Sequence, residues 1–203
     1  MDLLNYLNSQ FPDLTAENTK IHFAVRNDDG EDPLVQFING TFEEWQSIQK
    51  RNNFGRKYVV SLIQAYETRR WLFAGAFLQK GLKGRYPYGE SKEEHYYYDM
   101  THIHELSEYS GRMYVDFEKL MRMSYLNGET VKGNLPISEI SPARFTFGEF
   151  PGYKNVVLER DSIRTILHQN LESWKTALSL VKGIYLLTDH EGGKLYVGKA
   201  DGA

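Results

Sequence analysis

Apolar positions change their spacing several times along the chain, and each change marks an element. Leu3, Leu4 and Leu7 share one face of a short amphipathic helix that the Phe11-Pro12-Asp13 segment ends. Ile21 to Val25 and Leu34 to Ile38 read as two strands around the turn signal Asn27-Asp28-Asp29-Gly30. Thr41 and Glu44 have capping-box spacing, and Phe42, Trp45 and Ile48 form the stripe of a helix that should end near Asn52-Asn53. From Lys57 the pattern turns to β. Tyr58 to Tyr66, Trp71 to Gln79, Tyr96 to Glu105 and Met113 to Phe117 are rich in aromatic and β-branched residues.

Four successive strands of this kind predict an antiparallel meander. Its exposed edges must be covered or closed, so a small curled, barrel-like sheet with flanking helices fits better than an open one. Gly81 to Ser91 reads as a long glycine-rich loop, and Pro136, Pro142 and Pro151 keep the stretch from Gly128 to Gly152 irregular. A last strand, Asn155 to Leu158, leads to Asp161, a plausible N-cap for helical periodicity through Ile163, Ile166, Leu167, Leu171, Trp174, Leu178 and Leu180. The expected fold class is therefore α+β.

At 203 residues and 41% apolar content, the chain can bury one good core and a fragment of a second. Cysteine is absent, which excludes disulfides, thiolate zinc sites and a cysteine nucleophile. No stretch approaches the roughly eighteen apolar residues of a membrane span, and Met1-Asp2-Leu3 lacks the basic region of a signal peptide. A soluble cytoplasmic protein is the simplest reading. The net charge of −3 is unevenly spread. Nine basic residues (Lys50, Arg51, Arg56, Lys57, Arg69, Arg70, Lys80, Lys83, Arg85) fall in one segment with a single acid, Glu67. Folded together they would form a basic face for phosphates; pointing several ways they would be solvated strand edges and loops.

Near the end of the chain, Gly183-Ile184-Tyr185 is followed by ten residues and then by Tyr196-Val197-Gly198. The residues alone are compatible with a plain hairpin whose turn is Asp189 to Lys194. The two triplets, their gap, Leu186 and Leu187 after the first, and Lys199-Ala200 after the second together resemble the opening of a GIY-YIG nuclease domain. The resemblance covers residues 182–203 and implies a division of the chain into a nucleic-acid-binding module over 1–160, a helical connector over 161–181 and the truncated start of a nuclease domain over 182–203.

The resemblance implies hydrolysis of a DNA phosphodiester with Mg2+ or a similar divalent metal in the parent enzyme. By that likeness Tyr185 and Tyr196 would position or deprotonate the attacking water and contact the scissile phosphate. A tyrosine with a pKa of about 10 is a poor base at neutral pH and needs nearby positive charge, the role expected of Lys199. Gly183 and Gly198 would allow close approach. The family's catalytic arginine and metal-binding glutamate lie further along than this chain extends, and Glu191 reads as a solvated turn acid and no substitute. The chain alone is accordingly expected to bind no metal and to leave DNA uncleaved.

The larger N-terminal part would then bind or select DNA, possibly modified DNA, in restriction or defence. Trp71 and Phe73 alternate on a strand and are expected to face the core, whereas Tyr86 and Tyr88 are the better candidates for stacking on bases. A barrel with a meander and flanking helices is similar in architecture to PUA-like modules, without a diagnostic motif; a concave aromatic pocket beside the basic residues would favour base reading, and a flat groove duplex binding. His102 and His104 lie on one strand face near Asp99 and Glu105, a spacing open both to a metal and to a solvated pair. The rival reading is a protein-interaction or regulatory module with no direct DNA contact.

Overall fold

The computed structural model describes residues 1–27, 29–64, 69–89, 92–118, 124–148, 150, 152–156, 158, 160–168, 171–189 and 192–200. The chain divides into two compact units, Met1–Thr146 and Phe147–Ala203. Its elements in the larger unit are α1 (Leu3–Gln10), β1 (Thr19–Ala24), α2 (Pro33–Ile38), α3 (Phe42–Ser47), β2 (Ile48–Gln49), β3 (Tyr58–Gln64), β4 (Arg70–Tyr88), β5 (Glu93–His102), β6 (Met113–Asp116), β7 (Tyr125–Asn127), α4 (Gly128–Val131) and β8 (Ile137–Ile140). The smaller unit holds α5 (Arg160–His168), α6 (Glu172–Ser179), β9 (Gly183–Thr188) and β10 (Leu195–Ala200). The fold is α+β. None of the helices among the described residues is long and apolar enough to cross a membrane.

The first helix forms as its sequence predicts. The Asp2 side chain caps it by accepting from the Asn5 amide, Leu3, Leu4 and Leu7 are buried, and the chain turns extended at Phe11. Asp2 also accepts from the amides of Gly133 and Leu135, at 3.0 and 3.1 Å, and so ties the N-terminus to the segment before β8.

The sheet is mixed, where the sequence predicts an antiparallel meander. Its strand order is β2-β5-β4-β3-β1-β7, with β6 paired to β4 and β8 paired to β6. β3, β4 and β5 do form consecutive antiparallel pairs, but β1 runs parallel to β3 and the fourth expected strand turns back onto β4. The crossover through α2 and α3 permits the parallel pair. Among the described residues the sheet does not close: β2 and β7 are its ends and share no backbone ladder.

Leu34 to Ile38 is helical rather than extended. Asp32 accepts from the Leu34 amide at 2.8 Å and Pro33 occupies the first turn, where its missing N–H costs nothing. The next helix ends at Ser47, short of Asn52, and the Thr41 hydroxyl donates to Gln36 instead of capping it. The expected glycine-rich loop from Gly81 is mostly strand. β4 continues to Tyr88 against β5, and the register steps from Gln79 to Gly81 and from Leu82 to Gly84 leave Lys80 and Lys83 as extra residues at bulges. Around Asn155 the chain forms a 3-10 turn, Tyr153–Asn155, and the helical run predicted from Asp161 onward is two helices separated before Leu171. Tyr66, Val157 and Glu191 lie outside the described residues.

Both faces of the sheet are covered. On one, Ile21, Phe23, Val60, Leu62, Trp71 and Phe73 pack with the leucines of α1; on the other, Val59, Ile63, Leu72, Ala74 and Phe77 pack with Leu34 and Phe42. Ser61 pairs with Gly75 and Leu62 with Phe73, so Ala74 is a bulge residue. The bulge reverses the alternation of β4, which is why Trp71 and Phe73 share a face with Ala76 and not with Gly75 or Phe77. Phe23 is fully buried, with Trp71 and Phe117 rings at 4.8 and 4.9 Å. Phe23→Ala should therefore cost about 3–5 kcal/mol, read as a lower urea midpoint at unchanged slope.

Candidate functional site

Two regions carry the chemistry that the sequence singles out. The first is the hairpin β9–β10, in which Tyr185 pairs with Gly198 and Tyr196 with Leu187. Opposed residues share a face, so both tyrosines project from the same side, with ring centroids 6.3 Å apart. Gly198 is needed on that side because a Cβ there would overlap the Tyr185 ring. At Gly183 a Cβ would meet nothing within 4 Å.

Lys199 pairs with Ile184 and lies on the opposite face from the two phenols, so its expected role beside them has no support in the register. The tyrosine face consists of Gly183, Tyr185, Leu187, Tyr196, Gly198 and Ala200, without a carboxylate. No group of three or more His, Asp or Glu side chains suited to a metal occurs among the described residues. Among the described residues this face offers no ligand for the divalent metal that the family likeness implies. Apolar side chains on both hairpin faces are exposed: Ile184, Leu186 and Val197 on one, Leu187 on the other.

The second region is a cleft of about 860 Å³ in the larger unit. It opens where the two ends of the sheet approach each other, since Tyr125 of β7 donates its hydroxyl hydrogen bond to the Gln49 carboxamide of β2. Aromatic rings from five elements line it: His22, Trp45, Tyr88, His95 and Tyr125. His22 stacks on Tyr125 with centroids 4.9 Å apart and planes 10° from parallel, and Tyr88 lies 5.2 Å from His95. Glu31 accepts from Trp45 Nε1 at 2.9 Å, from the Tyr88 hydroxyl at 3.0 Å and from Asn27 Nδ2 at 2.7 Å. One carboxylate therefore anchors two of the rings. Four cations, Lys20, Arg26, Lys50 and Arg51, line the cleft with three acids, Asp29, Glu31 and Glu93.

Six of the nine cations of the basic segment have carboxylate partners. Lys50 pairs with Glu93 at 3.2 Å, Arg56 with Glu129 at 2.6 Å, Arg69 with Glu118 at 2.8 Å, Lys83 with Asp99 at 3.6 Å and Arg85 with Glu94 at 3.0 Å, and Arg70 pairs with Glu139. Arg70 and Arg85 also sit over the Tyr114 and Tyr96 rings, and Lys57 over Tyr58. Lys80 occupies a bulge of β4. Only Lys50 and Arg51 of the nine reach the cleft.

Tyr88, predicted in a loop, is held in the cleft wall by β4, while Tyr86 packs its exposed ring on Tyr97 at 5.3 Å. Trp71 and Phe73 are core residues, as expected, and so is Phe54. His102 packs its ring on Phe77 and lies 5.9 Å from that of His104; burial lowers its pKa. The sequence reading missed Trp45, which serves both as helix stripe and as cleft wall, and Tyr125. It also placed Asn52 and Asn53 at a helix end, whereas Asn52 accepts from the Tyr98 hydroxyl at 2.6 Å and lines the cleft. Comparison with protein-family models, curated proteins and solved structures finds no match to this chain.

Burial pushes the Tyr125 phenol up to about 12, against the lowering effect of its hydrogen bonds to Gln49 and Asn53. The folded chain thus keeps this phenol neutral where the unfolded chain, with a pKa near 10, ionises. Its contribution is intact below about pH 10 and is lost as pH rises toward 12, at on the order of 1 kcal/mol per pH unit. In Tyr125→Phe the alkaline fall in stability, measured by urea unfolding across that window, should be shallower by this amount.

Proposed function

We propose that this chain is the N-terminal portion of a GIY-YIG DNA endonuclease, in which Met1–Thr146 binds or selects DNA and the β9–β10 hairpin begins the nuclease sheet. The observation that carries the reading is the pair of tyrosines on one hairpin face, with Gly198 vacating space for the Tyr185 ring. An isolated two-stranded hairpin is marginal in water, and the exposed apolar side chains of this one suit strands within a larger sheet. The larger unit is read as a small barrel-like sheet left open at one seam, with its ligand-facing groups in the cleft. A divalent metal in the parent enzyme would supply charge stabilisation at the phosphate, and its ligands would have to come from residues other than those of this hairpin face. This hairpin contributes the two phenols.

The ion pairs of the basic segment favour a second reading, a protein-interaction or regulatory module that leaves DNA contact to the nuclease domain. Surface pairs are each worth only about 0–1 kcal/mol, however, and exchange readily for a phosphate. A mobility-shift series from low to moderate salt separates the readings. The chain should bind DNA with affinity that falls steeply as salt rises, and should not nick a plasmid when magnesium is added. Absence of binding even at low salt would support the second reading, and magnesium-dependent nicking abolished by Tyr185→Phe would contradict the proposed inactivity of the chain.

A further inference from the structure

We infer that the cleft at the sheet seam receives a single unstacked base of a DNA strand, with the phosphates that flank it held by Lys50 and Arg51. The inference rests on reading Met1–Thr146 as a DNA-binding unit and names the part of the DNA it takes. Three features of the cleft carry it.

The first is its fixed aromatic walls. Trp45 comes from α3 and Tyr88 from β4, yet both hydrogen-bond to Glu31, and Tyr125 is held by Gln49. His22 lies nearly parallel to both Tyr125 and Trp45, with centroids at 4.9 and 6.3 Å, so these rings form a stack that is fixed before a ligand arrives, and fixed rings lose little freedom on binding. The Glu31 carboxylate is engaged by these wall donors, so its charge is directed into the wall.

The second is charge. Four cations against three carboxylates leave the cleft nearly neutral, which fits a base with one or two phosphates and not a long phosphate track. Lys50 and Arg51 are exposed, as phosphate contacts must be. The other cations of the segment, from Arg56 to Arg85, are not among the residues that line the cleft.

The third is size and polarity together. A cleft of about 860 Å³ lies in the usual range for sites that take a nucleotide-sized ligand, and the carboxamides of Asn52 and Asn53 add donor and acceptor groups of the kind that pair with a base edge. A stacked base inside a paired duplex cannot present its face to Trp45 or Tyr88; an extruded one can.

The test uses the full chain and a DNA duplex bearing one bulged 5-iodouracil, compared with the fully paired duplex and with free 5-iodo-dUMP. Binding is followed by fluorescence anisotropy, and photocrosslinked peptides are identified by mass spectrometry. The bulged duplex should bind about tenfold or more tighter than the paired one, and crosslink to Trp45, Tyr88 or Tyr125. Lys50→Ala with Arg51→Ala, at two exposed positions, should weaken that binding without altering the circular dichroism spectrum. Equal affinity for both duplexes, or crosslinks only outside the cleft, would overturn the cleft assignment while leaving DNA binding in place. Free 5-iodo-dUMP bound as tightly as the bulged duplex would replace the DNA base with a free nucleotide. No binding to any DNA at low salt would overturn both this inference and the reading on which it rests.

Discussion

The sheet of the larger unit has two ends that do not pair, and the form of its ligand-facing surface follows from how those ends are held. β2 is two residues long and β7 three, and no backbone ladder joins them. Their side chains join them instead, through Tyr125 and Gln49, with Asn53 donating to the same carboxamide at 3.0 Å. A closed ladder would have filled this seam with strand. A side-chain bridge leaves a cleft whose walls are aromatic because the sheet face behind it is, with Phe54 packed 5.7 Å from Tyr125 and 5.1 Å from Tyr98. Short edge strands also limit the risk of pairing with other chains.

Charge behaves differently in three dimensions from charge along the sequence. The charged residues from Lys50 to Arg85 are almost all basic, and their carboxylate partners come from elsewhere: Glu93, Glu94 and Asp99 on β5, Glu118 after β6, Glu129 on α4 and Glu139 on β8. Antiparallel pairing of β4 with β5 and β6 brings these acids alongside the bases. The cleft cations are paired in the same way, Lys50 with Glu93 at 3.2 Å and Arg26 with Asp32 at 3.7 Å. Lys20 shows the same compression, for it donates to Asn127 at 2.9 Å, and burial together with the nearby Arg56 lowers its pKa.

Much of the fold was legible where one signal dominated. The leucine stripe and the Phe11-Pro12-Asp13 stop defined α1, and the aromatic and β-branched runs located β3, the first half of β4, and β6. Errors arose where two signals competed. In Leu34 to Ile38 a short apolar run fits strand or helix, and the Asp32-Pro33 start signal decided for helix. Gly81 and Gly84 read as loop residues, yet they flank bulges in a continuing strand, which sequence spacing does not distinguish from a turn. The candidate site was less legible than the fold. Tyr88 was identified for exposure in a loop and is in fact a strand residue tied to Glu31, while Trp45 and Tyr125 became wall residues only through contacts between distant segments.

The hairpin and the cleft make different demands on the same proposed function. Two phenols share one face of β9–β10, whereas the cleft brings aromatic, cationic and amide groups together. The central claim is that DNA enters at the seam between β2 and β7. Hydrogen–deuterium exchange of the chain, with and without a duplex carrying one bulged base, tests it most directly. Slowed exchange concentrated at residues 48–53, 93–95 and 125–127 is the result expected. Protection confined to β9–β10, or to residues 80–85 of β4, with no change at the seam, would contradict it.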